Sequence, residues 1–389
     1  MMEGLEVFFQ PLGSELFENL EKEALGNVIN AHNEQGFPET EGAKIAIIGV
    51  LEDRNSIGNS GCASGPDAIR SYLYKLFEFD EEIGLVDLGN ITPGETTNDT
   101  YYAVKTACSE LIKAGIIPLI IGGSQDITYA NYSAYEDLEQ TINLVTVDSK
   151  LDVGDNDENI SSENFMSKII LHQPNYLFNY SNIGHQRYLQ TPSILELMEK
   201  LHFETMRLGE VTGNIQDAEP LLRNADIVSF DISAIRWADC PGSKKSGPNG
   251  LYGEEACQLS RYAGISDKLT SVGFYEYNTN NDIAGTSAHL IAQMIWCFID
   301  GVLQRKDDYP KGSKDSYTKY IIDLSASKHQ IVFYKSDKSD RWWMDVPYPA
   351  GMKNRYERHH FVPCTYNDYV QATNEEMPDK WWKTYQKLV

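Results

Sequence analysis

Three short segments hold the side chains best suited to chemistry: Gly122-Gly123-Ser124-Gln125-Asp126, Val147-Asp148-Ser149-Lys150-Leu151-Asp152 and Ser229-Phe230-Asp231-Ile232-Ser233. The carboxylates of Asp148, Asp152 and Asp231 with the amide oxygen of Gln125 make an all-oxygen set suited to a hard cation such as magnesium, calcium or manganese. Lys150 stands among them, and an ammonium has donors and no lone pair, so it repels a cation. Two expectations stand side by side. Lys150 pairs with Asp148, Asp152 or Asp231 in a salt-bridge network that takes the place of an ion, or it points to solvent and the aspartates hold one ion. A unit charge pair at about 4 Å is worth roughly 4 kcal/mol at an effective dielectric of about 20, which is enough to sustain the first arrangement.

Each segment follows an apolar run that reads as a strand: residues 116–121, 142–147 and 227–230, with a further strand at 44–50. Such runs alternate with amphipathic stretches, which is the pattern of a parallel sheet covered by helices, and α/β folds place their sites at the carboxyl ends of such strands. Helices are predicted over 16–32, 66–77, 99–114, 193–201, 253–263 and 284–303. The helix at 66 opens on Gly65-Pro66, with proline in the first turn, and the one at 284–303 is apolar on most faces and belongs in the core.

The stretch 44–302 resembles the ureohydrolase family, which includes arginase, agmatinase and formimidoylglutamase. The family's Gly-Gly-Asp-His-Ser, Asp-Ala-His-x-Asp and Ser-x-Asp-x-Asp patterns fall on the three segments. Gly65-Pro66-Asp67-Ala68-Ile69-Arg70, the run from Pro241-Gly242 to Gly253-Glu254-Glu255, Glu276 and Asp282 with Thr286-Ser287-Ala288 resemble further family features. The resemblance implies a three-layer α/β fold with a central, mainly parallel sheet, and two manganese ions whose shared hydroxide attacks a guanidino or formimino carbon. By the same resemblance Gln125, Lys150 and Ser233 replace two histidines and an aspartate. Asp148, Asp152 and Asp231 are retained, Asp148 and Asp231 as the bridging pair. Met166 stands in the loop of the proton-shuttling histidine, and Glu276, Arg236 and Glu255 are candidates for contact with substrate. Arg236 replaces an acidic residue, so a bound ligand could be anionic. None of the eight histidines falls at a motif position, and Ser233 has no base beside it to activate it.

The formal charge of −24 argues against proteins that bind nucleic-acid backbones or anionic membranes, since both need clustered lysine and arginine. The six cysteines show no paired spacing and read as reduced core thiols. The first residues lack a secretory pattern, so the expected location is the cytoplasm. We divide the chain into residues 1–43, an α/β domain at 44–304 and an extension at 305–389. Residues 306–315 are a polar linker, and 317–324 with 329–334 form a hairpin around 325–328. The extension carries four of the six tryptophans, at 342, 343, 381 and 382. They either glue it onto the core or present a partner surface.

Two functions follow. One is a non-hydrolytic binding or scaffold protein, with no resident cofactor, that takes a small amino-acid-like ligand or a protein partner. The other is a hydrolase of linear amidine C–N bonds working with a single divalent cation, manganese, magnesium or calcium. The resemblance also implies a homo-oligomer.

Overall fold

The computed structural model describes residues 4–154, 159–310, 313–324, 329–349, 351 and 356–389. Among them the strands form two sheets. The larger runs β1 (Phe9–Gln10), β4 (Leu85–Ile91), β3 (Ile45–Val50), β5 (Ile117–Ile121), β10 (Ser271–Tyr275), β9 (Ile227–Asp231), β6 (Ile142–Val147), β7 (Leu177–His185) and β8 (Glu204–Arg207), with β2 (Asn30–Ala31) also on β4. Every pairing in it is parallel except β1 on β4.

The central strands β3, β5, β6, β9 and β10 are buried on both faces, which is why they read as largely apolar runs. Ile45 and Ile47 of β3 enter one core, where α1 (Gly65–Leu73), α8 (Gly253–Gly264) and α9 (Thr286–Leu303) pack. Ala46 and Ile48 enter the opposite core, against α2 (Thr97–Lys113) and α3 (Ile127–Ser133). The result is helix on sheet on helix. By length and composition α9 is the one described helix apolar enough to cross a membrane, and its buried face lies against α8 and α1.

One expected helix is absent. Residues 16–32 hold short 3-10 turns at Ser14–Phe17 and Leu25–Asn27 and then β2. The amides of Leu25 and Gly26 donate to the carbonyls of Leu76 and Tyr74, at 2.7 and 3.0 Å, so tertiary partners replace the helical ones. A Cβ on Gly26 would lie 2.8 Å from Cβ of Tyr74. The α1 helix also ends at Leu73, four residues short of the predicted end.

The extension forms an antiparallel sheet, β11 (Tyr317–Leu324), β12 (His329–Ser336), β13 (Trp342–Asp345) and β14 (Phe361–Cys364), with helices at Tyr366–Thr373 and Asp379–Leu388. The hairpin pairs as expected, Tyr317 with Ser336 through Leu324 with His329. Its tip, 325–328, lies outside the described residues. The sheet is fastened to the core at α7 (Glu219–Arg223). There Arg223 donates to the carbonyls of Trp342 and Cys364 at 3.1 and 3.2 Å and lies 4.5 Å over the Trp343 ring. Arg358 binds the buried Asp226, and His359 stacks on Phe178 at 3.9 Å.

Candidate functional site

The four middle strands β5, β10, β9 and β6 are adjacent, and their carboxyl ends deliver Gln125, Glu276, Asp231 and the Asp148–Asp152 pair to one place. Close backbone approach makes this possible. Gly123 abuts the segment carrying Glu52 so tightly that a Cβ would sit 1.9 Å from the Glu52 carbonyl, and Glu276 N donates to Gly123 O at 2.8 Å. Asp152 and Glu276 both have left-handed backbone, φ +46° and +68°, a cost that surrounding structure must hold and that clusters at functional sites.

Glu276 is fully buried. Its Oε1 accepts from Gln125 N at 3.1 Å and its Oε2 from Asn59 Nδ2 at 2.8 Å. Asp148 Oδ1 accepts from Lys150 N at 2.8 Å and Asp231 Oδ1 from Ser233 N at 2.7 Å. Gln125 Nε2 reaches Ser229 Oγ at 3.3 Å, whereas Gln125 Oε1 and Asp148 Oδ2 have no hydrogen-bond partner among the described residues.

Lys245 lies against this acidic group, and the sequence reading did not single it out. It projects from the loop after Cys240, its Nζ 3.0 Å from Ser162 Oγ and 3.8 Å from both Glu276 Oε2 and Glu163 Oε1. Burial pushes its pKa down, but Glu276, Asp231 and Asp152 outweigh burial and hold it above the ordinary lysine value. The only signal in sequence was a lysine pair inside the Gly242-Ser243-Lys244-Lys245-Ser246-Gly247 loop.

Lys150 makes no ion pair with the aspartates among the described residues, although its charge is near enough to pull Asp152 and Asp231 down. Its Nζ pairs with Glu163 at 2.9 Å, both side chains about one-third exposed at 37% and 36%. Only its backbone amide serves Asp148. Glu255, a candidate substrate contact, instead caps α8, its Oε2 accepting from Tyr252 N at 2.8 Å. Met166 is buried in α4 (Phe165–Leu171), and Ser233 is buried beside Asp231. Arg236 is held by Asp239 at 2.8 and 2.9 Å and lies 3.8 Å over the Tyr252 ring. It does line a cavity of about 530 Å³, shared with His185, Arg187, Arg207 and Asn249.

Among the described residues no three His, Cys, Asp or Glu side chains converge as metal ligands, and a lysine ammonium faces the carboxylates. Those carboxyls are correspondingly hard to ionise. Burial raises Asp148, with the charges of Asp152 and Asp231 adding to it, and it raises Asp152 to about 7. Burial also raises Glu276 to about 8 against the pull of Lys245.

Glu276 therefore keeps its proton in the folded chain to about pH 8 but in the unfolded chain only to about 4.5. Between those values unfolding releases a proton, so its contribution is complete below the lower value and is lost as pH rises through the upper one. Denaturant titrations across this window should show stability falling on the order of 5 kcal/mol, with the fall reduced in Glu276→Gln. A profile identical in the variant would mean that Glu276 is ionised throughout.

The arginase family model matches residues 43–300. Formimidoylglutamase of Staphylococcus haemolyticus is 25% identical over 285 residues, 69% of this chain and 89% of that protein. Formimidoylglutamase of Salmonella typhi is 24% identical over 280 residues, 68% and 87% of the two chains. Among solved structures, Trypanosoma cruzi formiminoglutamase with Mn2+ aligns with a TM-score of 0.67 at 21% identity, covering 74% of this chain and all of that one. Formimidoylglutamase from Bacillus subtilis aligns with a TM-score of 0.64 at 17% identity, covering 75% and 99%.

Proposed function

The chain belongs to the arginase family, and from that premise we propose that it is a non-hydrolytic member that binds a small amino-acid-like ligand or a protein partner. The observation that carries this reading is Lys245, whose ammonium lies 3.8 Å from Glu276 and is held charged by Glu276, Asp231 and Asp152. Lys245 thus supplies, from within the chain, a cation beside the carboxyls. Two manganese ions would add four positive charges beside that ammonium and would find Lys150 and Ser233 where the family pattern has a histidine and an aspartate.

Elemental analysis after reconstitution with excess manganese and desalting tests the reading. The native chain should retain no manganese. The folded variant carrying Gln125→His, Lys150→His, Ser233→Asp and Lys245→Ala should retain it, because that variant restores the donors and removes the competing cation. About two ions per native chain would overturn the proposal.

A second reading keeps one hard cation and hydrolysis of linear amidines, the chemistry named for the formimidoylglutamase relatives. The buried, unpartnered Oε1 of Gln125 favours it, since it is an acceptor that a single cation would satisfy. One ion per native chain, with turnover of formimidoylglutamate, would decide for it.

A further inference from the structure

Helices α8 and α9 run side by side, and two glycines let them touch. A Cβ on Gly264 would lie 2.1 Å from the Phe298 carbonyl and 3.0 Å from Gly301 Cα. Ser260 Oγ donates to Met294 O at 2.7 Å on one flank, and Arg261 Nε pairs with Asp300 Oδ2 at 2.7 Å on the other. One turn earlier on that second flank stand Cys257, four residues before Arg261, and Cys297, three before Asp300. Residues so spaced share a helix face. Both side chains line one apolar cavity of about 350 Å³ with Leu76, Phe77, Gln293 and Trp296, and each thiol's titration is shifted chiefly by the other.

The other four cysteines, Cys62, Cys108, Cys240 and Cys364, are buried, while this pair is half-buried. Burial pushes Cys108 and Cys240 up to about 12. Cys297 is lowered, chiefly because the Cys257 thiol donates to it. Access, proximity and thiolate character thus coincide at one pair.

We propose that Cys257 and Cys297 form a dithiol modification site that closes to an α8–α9 disulfide by exchange with a low-molecular-weight disulfide. The Cys297 thiolate attacks one sulfur of the reagent and expels one thiolate, leaving a mixed disulfide on Cys297. Cys257 then gives its proton to solvent and attacks the Cys297 sulfur, expelling the second half of the reagent. Two protein thiols are oxidised to one disulfide, and one reagent disulfide is reduced to two thiols. Helix α8 follows the loop that carries Lys245 and α9 follows the segment that carries Glu276, so the bond ties together the two helices that anchor both sides of the acidic cluster.

The test uses the full-length native chain and oxidised glutathione, followed by blocking of free thiols and peptide mass spectrometry. The expected product is a peptide joining Cys257 to Cys297, with the four buried cysteines unmodified and a melting temperature that rises and returns on reduction. Cys257→Ser should instead trap glutathione on Cys297. Recovery of both cysteines as separately blocked thiols, or glutathione on each without the joined peptide, would overturn the proposal, as would a Cys257→Ser chain that takes up no glutathione.

Discussion

Replacing Lys245 by methionine should lower the unfolding free energy by about 3 to 5 kcal/mol, because removing one partner of a buried ionic group leaves the others uncompensated. The Lys245 side chain is only 14% exposed and Glu276 is not exposed at all, so water cannot take over the role of the ammonium. The loss should be larger near pH 9 than near pH 6. Glu276 and Asp152 already lie at about 8 and 7. Without Lys245 they rise further and remain protonated at the lower pH, which limits the damage there. Lys150→Ala is the internal control: its pair with Glu163 lies at the surface, where such pairs contribute about 0 to 1 kcal/mol. Equal effects of the two substitutions in denaturant titrations would show that Lys245 is not the counterion of the cluster.

Trp343→Ala should cost about 3 to 5 kcal/mol, the range for removing a large aromatic from a packed interior. Trp343 is 1% exposed, its ring lies under the Arg223 guanidinium, and Tyr317 meets it edge-on at 6.1 Å. Arg223 is itself buried, so the truncation opens a cavity and removes the π face from a desolvated cation. Trp382, which is 42% exposed, should change stability by less than about 1 kcal/mol when replaced by alanine. A Trp343→Ala chain that unfolds at the native denaturant concentration would mean that the extension is not anchored through Arg223.

Of the four tryptophans in the extension, Trp342, Trp343 and Trp381 are buried in it or against the core. Composition favoured gluing for them and left partner binding open. What separated the two roles was where each ring ended up. Trp381 donates through its indole to the Asp345 carbonyl at 3.1 Å, and Trp342 packs on Tyr320, Phe333 and Tyr369.

The sequence by itself determined the layered α/β fold and the elements that carry the cluster. The apolar runs that became β3, β5, β6 and β9 are buried on both faces, so their pattern is local and leaves little choice of partner layer. It also determined that Asp148, Asp152, Asp231 and Gln125 stand at the carboxyl ends of strands, since position after a strand is a local property. It failed at residues 16–32, where helical spacing gave way to hydrogen bonds with Leu76 and Tyr74.

Only the tertiary structure decided which cation faces the aspartates and what Glu255 does. Lys150 is two residues from Asp148, but its backbone turns the side chain outward to Glu163. Lys245, nearly a hundred residues further along the chain, is carried in by a loop pinned where Lys244 N meets Asn59 Oδ1 at 3.2 Å. A side chain's charge is written in the sequence, whereas its direction and its neighbours across the fold are set by packing, and electrostatic pairing depends on those.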